Sequence, residues 1–296
     1  MSTLKHVSLA IVVVALIHPG MAFAQTEERV IYASVIDEAG APVTALTASD
    51  FIVREDGVQR EILRVGSATG ALQIAVLIDT SQAMEPYVSD LRRALRDFFN
   101  QMAGEHELAL IAFGERPNVL VEYTRDPVRL EASVDRVFAQ SGSGAYLLDA
   151  VVEVSRGLLK RGATRSAIVV ITAEGPEFSE RYHQAVLDEL YATDAALHAF
   201  VLARPGASFL ERAAREREIT LAEGARVTGG RRENLLTSMA LGTTLRELAA
   251  QLKNQYGVVY ARPESLVPPH TVKVCVNRPG VTVRARRTPQ RSRPTS

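Results

Sequence analysis

The sequence predicts an α/β fold: a doubly wound, mostly parallel sheet with helices on both faces, plus a small β-sheet unit built from N- and C-terminal strands. Nearly continuous apolar runs, which are typical of strands buried on both faces, predict the parallel sheet. These runs are residues 72–78, 108–113, 167–172 and 197–202. Segments with helical spacing lie between them, and such alternation indicates a sheet covered by helices.

The α/β domain is predicted to span residues 69–240. Apolar residues recur at helical spacing from Val88 to Phe99, shortly after Pro86, which suits the start of a helix. Further helices are expected at 127–138, 146–160 and 180–192, and an edge strand at 119–123.

Residues 25–68 are predicted to form an N-terminal β unit, because the pattern from Glu28 to Val65 has period two. A strand is expected at 30–36. Asp56-Gly57 predicts a hairpin turn between a strand at 51–55 and a return strand at 59–65, because both turn positions tolerate positive φ.

Residues 241–287 return to strand character after one helix, which is expected at 241–254. Short strands are predicted at 256–260, 271–276 and 281–284. Because a small isolated sheet is rarely stable, we expect this C-terminal helix and its strands to pack on the N-terminal unit. Residues 288–296 are predicted to form a disordered tail.

The first 24 residues predict a signal peptide. Lys5 precedes an apolar run at 7–16, and Ala22-Phe23-Ala24 suits cleavage before Gln25. This run is shorter than the roughly 20 residues that a membrane-spanning helix needs, and no later apolar stretch reaches that length. The expected location is therefore secreted or periplasmic. An uncleaved N-terminal anchor is the alternative.

Composition narrows the possible functions. The chain has 296 residues, 34 basic and 34 acidic side chains, and a single cysteine. Balanced charge disfavours nucleic-acid binding through a general basic field. Cys275 alone excludes an internal disulfide and a cysteine-rich metal site, so any metal would bind oxygen atoms or imidazoles.

A polar segment, Asp79-Thr80-Ser81-Gln82-Ala83, follows the first buried strand, where ligands bind in doubly wound sheets. It resembles the Asp-x-Ser-x-Ser motif of the von Willebrand factor A (vWA) domain. That resemblance implies a Rossmann-like fold and a Mg²⁺ ion held by oxygens of this motif, of a Thr in a later loop and of an Asp after the next buried strand. Asp79 and Ser81 match the motif.

Three of the five implied ligand positions carry methyl groups, which cannot coordinate Mg²⁺. They are Ala83, Ala145 and Ala173. We therefore expect a vestigial metal site at Asp79 and Ser81 and no bound cofactor. Two alternatives concern these residues: the longer side chain of Glu174 completes a Mg²⁺ site, or Asp79 is a structural carboxylate that caps the amides of the following turn.

The resemblance extends to a secreted bacterial family of VWFA-related, Acidobacterial-type proteins. Residues 43–57 resemble the lead-in of that family, Val-x-Gly-Leu-x-x-x-Asp-Phe-x-Val-x-Glu-Asp-Gly. Residues 248–256 and 277–287 resemble its later motifs. Membership implies an extracytoplasmic binding or assembly role.

Enzyme signatures are missing from the sequence: it has no His-Glu-x-x-His, Gly-x-Ser-x-Gly or phosphate-loop motif. We therefore predict a non-catalytic module that binds an extracytoplasmic protein through loops 80–85, 142–147 and 173–179. The predicted ligand-binding residues are Asp79, Ser81, Gln82, Ala145 and Glu174. Metal-dependent adhesion through Asp79 and Ser81 is the main alternative, and an envelope hydrolase the minor one.

Overall fold

A computed structural model describes residues 26–203, 211–264 and 266–287. The predicted signal peptide and the predicted C-terminal tail lie outside these ranges. The strands in chain order are β1 (Thr26–Asp37), β2 (Phe51–Glu55), β3 (Val58–Arg60), β4 (Ile62–Ser67), β5 (Gln73–Ile78), β6 (Glu107–Ala112), β7 (Asn118–Thr124), β8 (Ser166–Ala173), β9 (Ala195–Leu202), β10 (Arg232–Leu235), β11 (Tyr256–Pro263), β12 (Val272–Val276) and β13 (Val281–Ala285). The helices are α1 (Val88–Met102), α2 (Pro127–Val134), α3 (Leu147–Lys160), α4 (His183–Tyr191), α5 (Arg212–Thr228) and α6 (Ala240–Lys253).

The central sheet has the order β10-β9-β8-β5-β6-β7. All its neighbouring strands are parallel except β7, which pairs antiparallel with β6 at one edge. All eight residues of β8 are buried, as the continuous apolar run predicts. The predicted mostly parallel sheet and its edge strand are confirmed.

Helices cover both faces of this sheet and make two cores. On one face, α1, α2 and α6 pack against alternate strand residues such as Ile74 and Val76. On the other face, α3, α4 and α5 pack against the intervening residues, such as Ala75 and Leu77. Because successive strand residues point to opposite faces, one apolar run supplies both cores.

Two elements were not predicted from the sequence: α5 and β10. The interior face of α5 is built mainly from small residues, including Ala214, Gly224 and Ala225, so its apolar stripe is weak. Gly224 needs its small size, because a Cβ there would lie 2.7 Å from the Leu197 side chain. The four residues of β10 are too few to show a period.

The strands near the chain ends form a terminal β unit with two sheets, ordered β13-β1-β11-β4 and β12-β2-β3. Asp56 and Gly57 have φ of 46° and 85°, as the predicted hairpin turn requires. The expected return strand is split in two. Its first part, β3, pairs with β2, whereas β4 pairs with β11 in the other sheet.

The C-terminal helix α6, which was expected to pack on the terminal β unit, packs mainly against α1 and also contacts β1 of that unit. Its apolar stripe, Leu241, Leu245, Leu248 and Leu252, belongs to the core that α1 shares with the central sheet. The four leucines recur at helical spacing. Leu91, Leu95 and Phe98 of α1 are buried in the same core. The apolar stripe of α6 thus belongs to the core of the central sheet.

We predict that Phe98→Ala lowers the free energy of unfolding by about 3–5 kcal/mol, because it opens a cavity in the α1 core, where Phe98 is fully buried. Phe138→Ala is the matched control, since Phe138 is 62% exposed and contacts Arg92 through its ring. Denaturant titration of both variants measures the difference. An equal decrease in the free energy of unfolding for both variants would contradict the assignment of Phe98 to the buried face of α1.

Candidate functional site

The candidate site lies at the carboxyl edge of the central sheet. Strand β5 ends at Ile78, and residues 79–81 then lead into a short 3-10 helix, Gln82–Tyr87, and on into α1. Loops 140–146 and 174–182 flank this segment. Ala83 lies against the second of them, because a Cβ placed on Gly175 would be 2.8 Å from the Ala83 methyl.

Asp79 is 1% exposed, and its carboxylate accepts hydrogen bonds from the protein on both oxygens. The Ser81 amide donates to Oδ1 at 2.7 Å, and the Thr172 hydroxyl donates to Oδ2 at 2.7 Å. The Ala173 amide adds a longer bond to Oδ2, at 3.4 Å. The carboxylate therefore caps the following turn and also joins the end of β5 to the end of β8.

Thr172 is a partner of Asp79 that the motif does not predict. Capping of the following turn involves only amides that come after Asp79 in the chain. The pairing of β5 with β8 in parallel register brings Ile78 opposite Ile171, so the next residues of both strands, Asp79 and Thr172, emerge side by side. The signal available in the sequence was the Thr that ends the apolar run at 167–172.

The predicted ligand-binding residues surround Asp79 in different ways. Ser81 and Ala145 are both 1% exposed. Ala145 joins two loops, because its amide donates to the Pro176 carbonyl at 2.9 Å and its carbonyl accepts from the Phe178 amide at 2.7 Å. Gln82 is exposed, and its Oε1 accepts from the Gly142 amide at 3.1 Å.

Glu174 is half-buried at the start of loop 174–182, and its amide donates to the Leu202 carbonyl at 3.0 Å. This bond ties the loop to the end of β9. Ser81, Gln82 and Ala145 thus build the loop contacts around Asp79, and Glu174 fixes the start of the neighbouring loop.

The donor set does not fit a divalent cation. Mg²⁺ takes an octahedron of oxygen ligands. Here the methyls of Ala83, Ala145 and Ala173 are all at least 97% buried, at the three positions where the vWA motif supplies oxygens. Across residues 26–203, 211–264 and 266–287 no cluster of three or more His, Cys, Asp and Glu side chains could hold a metal ion.

A groove of about 590 Å³ opens beside the Asp79 loop. Residues 114–118, loop 140–146 and Phe178 form its walls. Phe178 is 49% exposed and meets the Tyr146 ring edge-on, with 6.0 Å between ring centroids. We call this feature the rim groove.

Two glycines make the rim groove possible. A Cβ on Gly144 would lie 2.7 Å from the Phe178 ring, and one on Gly114 would lie 2.4 Å from the carbonyl carbon of Thr80. The Gly114 amide instead donates to the Thr80 hydroxyl at 3.0 Å. The loop after β6 and the Asp79 loop are therefore in direct contact, which no side chain larger than hydrogen would allow.

Glu177 lies in loop 174–182 and is 4% exposed. Burial raises the pKa of its carboxyl to about 7, against the opposing effects of Ser179 and of the Arg217 charge. The Ser179 amide donates to one oxygen at 3.1 Å. Loop 174–182, which contributes Phe178 to the rim groove, thus also contains a buried carboxyl group whose pKa is raised by burial.

A sequence profile of the von Willebrand factor type A domain matches residues 74–175, from β5 to the loop after β8. Together with the fold and the Asp79 motif, this match shows that the chain contains a vWA domain. A comparison with curated protein sequences finds no significant match. None of the described helices is long and apolar enough to cross a membrane.

Solved structures share the fold. A von Willebrand factor type A protein from Catenulispora acidiphila is 12% identical, with a TM-score of 0.51, and the alignment covers 88% of this chain and 74% of that one. Proximal thread matrix protein 1 from the mussel byssus, with a zinc-occupied MIDAS motif, is 11% identical, with a TM-score of 0.51. That alignment covers 67% of this chain and 49% of the mussel protein.

We predict that Asp79 and Thr172 are energetically coupled. In a double-mutant cycle of Asp79→Ala and Thr172→Val, measured by denaturant unfolding, the coupling energy should be about 1–3 kcal/mol, because the cycle isolates a buried bond to a charged group. Thr220→Val is the control, since that buried hydroxyl donates to the Glu216 carbonyl instead. Coupling near zero for Thr172 would contradict the assigned bond.

Proposed function

We propose that this chain is an extracytoplasmic, non-catalytic protein-interaction module, and that its vWA domain binds a protein partner without a divalent cation. The observation that carries this proposal is the hydrogen bonding of the Asp79 carboxylate. Both of its oxygens accept hydrogen bonds from the protein, and the neighbouring ligand positions are methyl groups. The vWA domain itself favours a role in protein interaction.

Metal-dependent adhesion is the alternative that this proposal opposes. A cation bound to Asp79 would compete with the Thr172 hydroxyl and the Ser81 amide for a buried carboxylate, and each donor left unpaired would cost about 1–3 kcal/mol. The cation would then need other oxygen ligands, because the side chains of Ala83, Ala145 and Ala173 supply none. The zinc-occupied motif belongs to the mussel protein and is not transferred to this chain.

The envelope hydrolase is less well supported. A Ser81 nucleophile would need access to substrate, and Ser81 is 1% exposed. It would also need a base, and the bond between Ser81 and the Asp79 carboxylate is made by the Ser81 amide, not by its hydroxyl.

An extracytoplasmic location is part of the proposal. It is supported by the charged start, the apolar run at 7–16 and the Ala22-Phe23-Ala24 site, all of which precede the described residues. The resemblance of residues 43–57 to a secreted bacterial family points to the same compartment.

The rim groove is the binding surface in this proposal. It combines exposed side chains of both charges, Glu115 and Arg116, with the half-exposed ring of Phe178. Aromatic and arginine side chains often dominate the binding energy of protein interfaces. The walls are held by backbone bonds between loops, so the surface is formed before a partner arrives.

We predict that immobilised residues 25–296 retain an envelope protein equally with Mg²⁺ and with chelator. Phe178→Ala should weaken retention about tenfold or more, because it removes an aromatic anchor at the groove. Phe138→Ala removes an exposed phenylalanine outside the groove and is the matched control. Quantitative retention from an envelope extract measures both.

Loss of retention in chelator would support metal-dependent adhesion instead. Equal retention by Phe178→Ala and Phe138→Ala would place the binding surface away from the rim groove.

A further inference from the structure

A second groove lies beside β7, the edge strand of the central sheet, on the face that α3 covers. Strand β7 lines one side of it and α3 lines the other, and Ala109 and Ile111 of β6 lie between them. Its volume is about 190 Å³. Small-molecule sites usually have about 300–1,000 Å³, so this groove suits a single large side chain better than a whole small molecule. We call this feature the edge groove.

The side chains that line the edge groove are mainly apolar and partly exposed. Val119 of β7 is 44% exposed. Tyr123 of β7 and Val154 of α3 are half-buried and pack against the core on this face. On the other face of β7, Leu120 and Val121 are buried in the core that α1 and α2 share. The described part of the chain thus covers one face of β7 and leaves apolar surface on the other.

Gly157 keeps the edge groove open. It lies in the last turn of α3 and lines the groove. Glycine destabilises a helix relative to alanine, so its use inside one calls for a reason. A tight contact is not the reason here, because a Cβ on Gly157 would meet nothing within 4 Å outside the backbone of its own helix. The missing side chain leaves room in the groove instead.

Two carboxylates flank the edge groove, Glu122 on β7 and Glu153 on α3. Both side chains are exposed, and neither has a basic group within 4.0 Å among the described residues. Arg156 and Arg161 of α3 pair with other carboxylates, at 2.8 and 2.9 Å. An apolar groove between two unpaired carboxylates is complementary to an apolar side chain that has basic residues beside it.

Addition of a strand to β7 is another way in which a protein segment binds at a sheet edge. The edge of β7 is irregular, because its pairing with β6 shifts register twice between Leu108 and Ile111. The Leu120 carbonyl already accepts a hydrogen bond from Arg136, at 2.7 Å. Irregular and occupied edges oppose pairing with a further strand. Recognition through side chains in the groove is therefore favoured.

We propose that the edge groove binds an exposed segment of a protein partner in which lysine or arginine flanks one large apolar side chain. The apolar side chain fills the space beside Gly157, and the basic residues pair with Glu122 and Glu153. Pro117 lines both the edge groove and the rim groove, so the two grooves adjoin. The inference rests on the proposed function and adds to it the chemistry of the partner segment.

The test uses two synthetic peptides and residues 25–296 with ¹³C-labelled valine methyl groups. One peptide is Gly-Arg-Leu-Lys-Gly, and the other has glutamate in place of its arginine and lysine. The basic peptide should shift the methyl resonances of Val119 and Val154 in a saturable way. It should bind at least about tenfold more tightly than the acidic peptide, because its charges are opposite to those of the two carboxylates.

Gly157→Leu fills the groove, so it should weaken binding of the basic peptide about tenfold or more. Its thermal midpoint should equal or exceed that of the wild-type chain, because leucine favours a helix more than glycine does. Gly242→Leu in α6 is the matched control, since the nearest atom to a Cβ there is the end of the flexible Arg246 side chain, at 3.4 Å. This control should bind the basic peptide as the wild-type chain does.

The charges are tested by a second variant, Glu122→Gln with Glu153→Gln. Both side chains are exposed, so this double variant should fold like the wild-type chain and lose the preference for the basic peptide. A preference that persists in the double variant would contradict the proposed pairing.

The inference would be overturned if the basic peptide caused no saturable shift at Val119 and Val154, or if it bound Gly157→Leu as tightly as the wild-type chain. Self-association in sedimentation experiments without peptide, abolished by Gly157→Leu, would also overturn it and would assign the groove to a second copy of this chain. The proposed function fails separately, if the wild-type chain retains no envelope protein.

Discussion

The buried carboxylate of Asp79 is the constraint on which the carboxyl edge of the sheet depends. A charge removed from water is costly unless several donors satisfy it, and the Ser81 amide and the Thr172 hydroxyl supply short bonds. One donor follows β5 and the other lies near the end of β8, so one side chain fixes the ends of these two strands relative to each other. Loop 174–182, which carries Phe178 of the rim groove, starts at the end of β8, and Thr80, which follows β5, accepts a hydrogen bond from Gly114 of the opposite wall.

The same carboxylate is central to the proposal that this domain binds its partner without a cation. Backbone bonds through Ala145 join the loops around it, and Gly114 allows the Thr80 hydroxyl to hold the loop after β6. At the other end of the sheet, Arg286, which follows β13, donates to the carbonyls of Tyr191 and Thr193 at the end of α4. These bonds join the terminal β unit to the α/β domain.

Much of the fold could be predicted because buried parallel strands leave continuous apolar runs, and α1 and α3 have clear helical stripes. Apolar periodicity does not reveal a helix whose buried face consists of small or charged residues. Helix α5 is such a case, with Gly224 and Arg217 on its interior face. Apolar periodicity also fails where a helix could pack against either part, as for α6. At the site, Asp79 and Ser81 could be found from their motif, whereas Thr172 and the rim groove depend on strand register and loop contacts that no local spacing contains.

The most direct test of the central claim is thermal unfolding of residues 25–296 with Mg²⁺, Mn²⁺, Ca²⁺ or chelator. A variant that restores the ligand oxygens, Ala83→Ser with Ala145→Thr and Ala173→Asp, provides the positive control. If the hydrogen bonds of Asp79 replace the cation, the wild-type midpoint stays within about 1 °C in every condition, while the restored variant gains about 4 °C or more at saturating cation. A cation-dependent rise in the wild-type chain that disappears in Asp79→Ala would contradict the account.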